Sequence, residues 1–127
     1  MILYVNACAR PDSRTDRLAR ALLQKLGPYE ELRLYDEPLR PMDAHRIALR
    51  DALLSQKDYG ADMFRYARQF AAAEQIVLSA PLWDLSFPAQ LKIYLENIFV
   101  TGIVTRYSEA GLPVGLCRAK KLYYVST

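Results

Sequence analysis

Cysteine is scarce in this chain, with Cys8 and Cys117 the only two in 127 residues. Two are too few to staple a fold, and with neither CxxC spacing nor a nearby histidine they point to no disulfide framework and no metal site. Histidine is scarcer still. His45 stands alone beside Asp43, where a solvated first-turn helix residue is expected and no catalytic role is assigned. No apolar stretch approaches the roughly 20 residues that cross a bilayer, and residues 1–6 lack the basic region and long apolar core of a secretory leader. These absences argue against a membrane role and lead to an expectation of a reducing cytoplasm. Runs of like charge are missing too: the net charge is +3, with Lys and Arg scattered along the chain. That pattern gives no reason to expect nucleic acid and suits an anionic small ligand.

What the chain does have is core material. Hydrophobic residues make up 52%, enough to offset the entropy of ordering one domain, and a length of 127 residues leaves no room for two. A single domain over residues 1–127 is expected. Residues 2–7 open as a short apolar strand. A polar loop follows, then a helical pattern marked by Leu18, Leu22 and Leu26 and stopped by Gly27-Pro28. Residues 31–35 alternate as a half-buried edge strand would. Asp43 caps a helix running through Ile47 to Leu54, Tyr59-Gly60 breaks it, and another helix is expected over 62–73. Residues 75–80 are nearly all apolar, as a central parallel strand covered on both faces requires. Leu91, Leu95, Ile98 and Phe99 then mark one face of a further helix. Residues 102–119 read as an irregular hairpin or flap, and 121–125 supply a fourth strand. Such alternation implies an α/β fold, a doubly wound parallel sheet in three α/β/α layers, with function at the carboxyl ends of the strands.

Those ends are residues 8–15, residues 81–88 and the chain after 126, and loops occupy the first two. In the first, residues 6–15, a helix N-terminus, two hydroxyls (Ser13, Thr15) and two guanidinium groups (Arg10, Arg14) can surround a phosphate. The plainer reading, that Asp12 or Ser13 simply caps the helix, stands beside it. Cys8 to Thr15 also spells C-x5-R-T, the spacing of a cysteine phosphatase with Cys8 as thiolate nucleophile and Arg14 as clamp. Pro11 removes an amide from that cradle, the loop has no glycine, and the chain has no Asp-Pro general acid. Outside the phosphatase reading, Cys8 is a small packing residue. The second loop, residues 80–92, places Leu82, Trp83, Leu85 and Phe87 where loops are usually polar. They suit a flat ring system, although Trp83 and Phe87 could equally fold inward as minor core.

That second loop, Ala80-Pro81-Leu82-Trp83-Asp84-Leu85-Ser86-Phe87-Pro88-Ala89-Gln90-Leu91-Lys92, resembles the A-P-M-Y-N-F-x-x-P-x-x-L-K stretch of the flavodoxin-like quinone reductases and azoreductases. Similarity continues through Tyr94, Gly102, Arg106-Tyr107 and Gly111, and Ser13-Arg14-Thr15 matches the family's Ser-x-Ser/Thr phosphate element. Two motifs in the right order and at the right sheet positions are far more specific than either alone.

The resemblance implies FMN, its phosphate on Arg10, Ser13, Arg14 and Thr15 and its ring over Pro81, Leu82, Trp83, Asp84 and Leu85. It implies an oxidoreductase that takes hydride from NAD(P)H and reduces a quinone, azo dye or similar acceptor, with no side-chain acid strictly required. It implies a homodimer with the site at the subunit interface. An electron-carrying flavodoxin would share the phosphate loop, but such carriers dock through acidic surfaces, against the +3 charge here. Asp84 stands where the family commonly has Asn, and a carboxylate beside the ring would make an anionic reduced flavin harder to stabilise. The family's pattern also runs on beyond Thr127 into a third flavin-contacting loop, a helix and a strand. The resemblance therefore implies a sheet short of its last strand and helix, in an incomplete chain.

Overall fold

The computed structural model describes residues 1–127. Its elements run in chain order as β1 (Ile2–Asn6), α1 (Arg14–Leu26), β2 (Tyr29–Arg33), α2 (Ala44–Ser55), α3 (Arg65–Ala72), β3 (Gln75–Ser79), α4 (Ala89–Ile98), β4 (Thr105–Tyr107), β5 (Pro113–Gly115) and β6 (Lys121–Val125). Every residue of β1 is buried, which requires cover on both faces of its sheet. The period-two alternation of a strand supplies two apolar sides. Leu3 and Val5 join Ile76 and Leu78 of β3 against Phe70 of α3 and Leu91, Tyr94 and Ile98 of α4. Ile2, Tyr4 and Val77 face the other way, onto Ala19 and Leu23 of α1.

Four parallel strands make the sheet, in the order β2-β1-β3-β6. This is the expected doubly wound arrangement, with β2 at an edge and β3 inside. Residues 102–119 hold the expected hairpin, in which β4 and β5 pair antiparallel. Gly102 opens it with φ of 97°, which strains any side chain there, and a β-carbon would also lie 2.6 Å from the Tyr59 ring and have to displace it.

Several boundaries and faces differ from the sequence reading. The second strand pairs over Tyr29–Arg33 rather than 31–35, because Leu34–Asp36 tighten into a 3-10 turn that buries Leu34 beyond the end of pairing. The helix expected over 62–73 begins as a 3-10 turn at Asp62–Phe64 and becomes α-helical at Arg65. In α1 the leucine stripe marks the helix and the margin of its buried face, Leu22 and Leu26 packing half-buried on the core. Thr15, Ala19 and Leu23 are buried, while Leu18 is 53% exposed, since the small Ala19 lets the helix approach the sheet closely. Phe99 lies past the end of α4 and is 58% exposed, and Tyr94 takes the core position instead. Asp43 caps α2 as expected, its carboxylate accepting from the Arg46 N–H at 2.9 Å.

Tyr94 occupies that core position at a cost. Its ring sits edge-on to Tyr66 and Phe70, yet its hydroxyl has no hydrogen-bond partner, and burial pushes its pKa far up. An unpaired buried hydroxyl costs about 1–3 kcal/mol. Tyr94→Phe is therefore expected to stabilise the chain by about 1 kcal/mol in urea unfolding; a net loss of stability would show that the hydroxyl is satisfied.

Candidate functional site

Strand register decides which loops meet. Asn6 pairs with Ser79 and Ser79 with Val125, so β1, β3 and β6 end level. The ladder then continues beyond the strands: Ala7 donates to the Ser79 carbonyl (2.8 Å), Ala80 to Val125 (3.0 Å) and Leu82 to Thr127 (3.1 Å). Three chain segments thus leave one edge of the sheet side by side.

Together they enclose a cleft of about 390 Å³ lined by Arg10, Asp12, Ser13, Arg14, Thr15, Pro81 and Thr127, with no hydrophobic residue in its wall. Ser13 is the N-cap of α1, in extended conformation, and its Oγ accepts from the Asp16 N–H at 3.1 Å. The capping reading and the phosphate reading are therefore compatible. The cap satisfies the Asp16 amide, while those of Ser13, Arg14 and Thr15 find no acceptor in the protein. Free first-turn amides, a helix dipole and two guanidinium groups against the single carboxylate of Asp12 make the cleft an anion site. Thr15 Oγ1 lies 2.6 Å from Thr127 Oγ1, which closes the third wall. Sequence reasoning pointed to the end of the last strand without singling out Thr127, because only the β3–β6 pairing brings it there.

Beneath the cleft lies a buried polar layer. The Tyr4 hydroxyl donates to Asp16 Oδ1 at 2.6 Å and lies 2.7 Å from Ser79 Oγ. Asn6 Oδ1 accepts from the Cys8 N–H at 2.9 Å, and the Cys8 thiol sits 3.4 Å from Ser79 Oγ. Cys8 is fully buried and does not line the cleft. It packs where strand meets loop, with its amide turned inward. The cysteine-phosphatase alternative thus lacks an accessible nucleophile, although Arg14 does reach the cleft.

The second loop folds on itself. Trp83 and Ser86 exchange both backbone hydrogen bonds, at 2.7 and 2.9 Å, and the two residues between them have positive φ, 51° at Asp84 and 63° at Leu85. Positive φ at both central positions is the geometry of a type I′ turn, which favours Asn and Gly. Holding a leucine there costs of order 1 kcal/mol, and Leu85 gains nothing by burial, being 93% exposed. Strain of this kind clusters at ligand sites. Leu82 and Trp83 are exposed beside it, whereas Phe87 packs inward on the core, so the two aromatic residues divide between the readings offered for them. Of the nine site residues expected from sequence, Arg10, Ser13, Arg14, Thr15 and Pro81 line one cleft. Leu82, Trp83, Asp84 and Leu85 form the adjoining turn, tied to it through the Leu82–Thr127 bond.

A roomier groove of about 460 Å³ between α1 and β6, walled by Leu18, Leu22 and Tyr124, contains none of these residues. His45 is exposed on the first turn of α2, away from the cleft lining.

Comparison with known proteins agrees with this architecture. A family model described as flavodoxin-like fold matches residues 1–127. The FMN-dependent NADH:quinone oxidoreductase 2 of Clostridium acetobutylicum is 37% identical, over 98% of this chain and 65% of its own length. The FMN-dependent NADH:quinone oxidoreductase of Clostridium beijerinckii is 33% identical, over 98% and 67%. Among solved structures, the azoreductase of Bacillus anthracis str. Sterne superposes with a TM-score of 0.82 at 28% identity, covering 97% of this chain and 66% of that one. The chain therefore spans about two thirds of the length of these relatives. With the anion cleft, the strained turn and these likenesses in agreement, the chain belongs to the flavodoxin-like family of quinone reductases and azoreductases.

Proposed function

We propose that this protein is an FMN-dependent oxidoreductase that takes hydride from NAD(P)H and reduces a quinone, azo compound or similar small acceptor. The observation that carries the reading is the pairing of a polar anion cleft with an exposed apolar turn on the same edge of the sheet. FMN has that shape: a phosphate dianion at one end and a flat ring at the other. The residues present fit it. The amides of Ser13, Arg14 and Thr15, with the Arg10 and Arg14 side chains, would hold the phosphate, and Pro81, Leu82, Trp83, Asp84 and Leu85 would meet the ring. When bound, FMN supplies the hydride chemistry. The chain contributes position, charge and exclusion of water by Trp83 and Leu85. Curated relatives named as FMN-dependent NADH:quinone oxidoreductases support the cofactor and the reaction class. NADH consumption with a soluble quinone separates this reading from an electron carrier.

The same reading includes a homodimer with the site at the interface. It is supported by the apolar groups left in solvent near the turn, Leu82, Trp83 and Leu85, and by α2, which buries none of its residues. A partner seated there would cover both. No helix is long and apolar enough to cross a membrane, and both cysteines are unpaired, in keeping with work in a reducing cytoplasm.

Purified protein titrated with FMN should acquire flavin absorbance at one equivalent per chain and then oxidise NADH or NADPH when a quinone is added; protein that stays colourless sinks the proposal. Light scattering of the loaded protein should give twice the chain mass. Asp84→Asn removes a carboxylate from the ring site and puts a residue better suited to positive φ at the turn. It is expected to raise the two-electron midpoint potential of bound FMN by about 30 mV, equivalent to about 1.4 kcal/mol, with no loss of thermal stability. An unchanged potential would place Asp84 away from the ring.

A further inference from the structure

Ser13 and Asp16 stand at the S-x-x-D spacing of a capping box, in which the acidic side chain folds back onto the N-cap amide and occupies it. Only half of that box is made. Ser13 Oγ accepts from the Asp16 N–H, but the Asp16 carboxylate faces the sheet. Its Oδ1 accepts from the Tyr4 hydroxyl at 2.6 Å and from Asn6 Nδ2 at 3.3 Å, and its Oδ2 from Arg20 Nε at 3.1 Å. Arg20 is itself shared with Glu31, at 2.8 Å, and the Asn6 contact is long. The bond from the buried Tyr4 is therefore the shortest of the three holds on the carboxylate.

We propose that Tyr4 is a positioning residue for the anion cleft: by holding the Asp16 carboxylate under the sheet edge, it keeps the first-turn amides of α1 open to an external phosphate. The proposal rests on the phosphate half of the function proposed above. An intramolecular carboxylate one helical turn away has a high effective concentration at those amides and carries the charge that the helix dipole attracts, so once released it competes with any incoming dianion. Tyr4 is built for constant restraint. Its ring is fully buried, edge-on to Tyr29 and beneath the Arg20 guanidinium. Burial and the bond to Asp16 push its pKa far up, so the hydroxyl remains a donor across the working pH range. Ser79 Oγ, 2.7 Å from the same oxygen, fixes its direction from the neighbouring strand.

The test uses the full chain and reads three probes: orthophosphate, FMN and riboflavin, which lacks the phosphate. Tyr4→Phe keeps the ring and is expected to weaken orthophosphate and FMN binding about tenfold, with riboflavin unchanged. Adding Asp16→Ala to Tyr4→Phe should restore phosphate binding, because the competitor is gone; a purely structural role for Tyr4 predicts a deeper loss. Asp16→Glu, whose longer side chain reaches the N-cap amide more readily than Asp16 does, should weaken orthophosphate binding in the same direction, and it decides the matter if Tyr4→Phe does not fold. Equal loss of riboflavin and FMN, absence of rescue, or a glutamate variant that binds orthophosphate as wild type does would overturn the proposal. Wild-type protein that binds orthophosphate but not FMN would end the flavin reading and leave this one to be decided on orthophosphate. Wild type that binds neither would end both.

Discussion

The level ending of β1 and β3 is the constraint on which the rest depends. Asn6 sits opposite Ser79, and the Ala7 amide extends the ladder onto the Ser79 carbonyl. A shift of one residue would send every side chain of β1 to the opposite face. It would bring Tyr4 out of the α1 side and move the start of α1 relative to the second loop. The apolar demand of both faces, Leu3 and Val5 against one helical layer and Ile2 and Tyr4 against the other, holds this register in place. Core packing and site geometry are therefore one requirement, since the residues that fill the two cores also fix the height at which the functional loops leave the sheet.

Charge at that edge is arranged with similar economy. Anions are favoured at the α1 N-terminus, and the two carboxylates closest in sequence have different fates. Asp12 lines the cleft. Asp16, at the position where acids normally cap helices, is turned inward and shared among Tyr4, Asn6 and Arg20. Burying a carboxylate without partners is prohibitive, but three hydrogen bonds, one of them from a guanidinium, make it tolerable. The result is a helix end that is capped on one amide and open on the others.

Much of this was legible in the sequence, and the failures have identifiable physical causes. The first loop could be read because a β-strand followed by Ser-x-Thr at a helix start has few meanings, and Arg10, Ser13, Arg14 and Thr15 do share one cleft. Thr127 was missed because only non-local pairing of β6 with β3 carries it there. Tyr4 reads in sequence as one more apolar position in a buried strand; nothing local shows that its hydroxyl meets an acid twelve residues on. The leucine stripe located α1 correctly, but its spacing could not show that the centre of the core face is the small Ala19, with Leu18 left largely in solvent. The turn at Asp84-Leu85 was obscure for a different reason. Asp84 suits positive φ, but Leu85 does not where a type I′ turn favours glycine, so turn chemistry gave only half a signal where the structure holds a leucine against preference.

That disagreement is itself informative about the site. Local sequence and local structure concur almost everywhere along this chain, at the Ser13 and Asp43 caps, at Gly102 and through the apolar strands. They part at Leu85, which has the wrong conformation for its side chain and the wrong environment for its polarity. A folded chain retains such a residue only where the surroundings over-determine it or where a bound group repays the strain. The hydrogen bonds between Trp83 and Ser86, and from Leu82 to Thr127, supply the first condition. An aromatic ring lying against Leu85 would supply the second. A polar cleft alone would suit many anions, but a polar cleft beside an apolar turn held under strain has the shape that the proposed FMN, charged at one end and flat at the other, would fill.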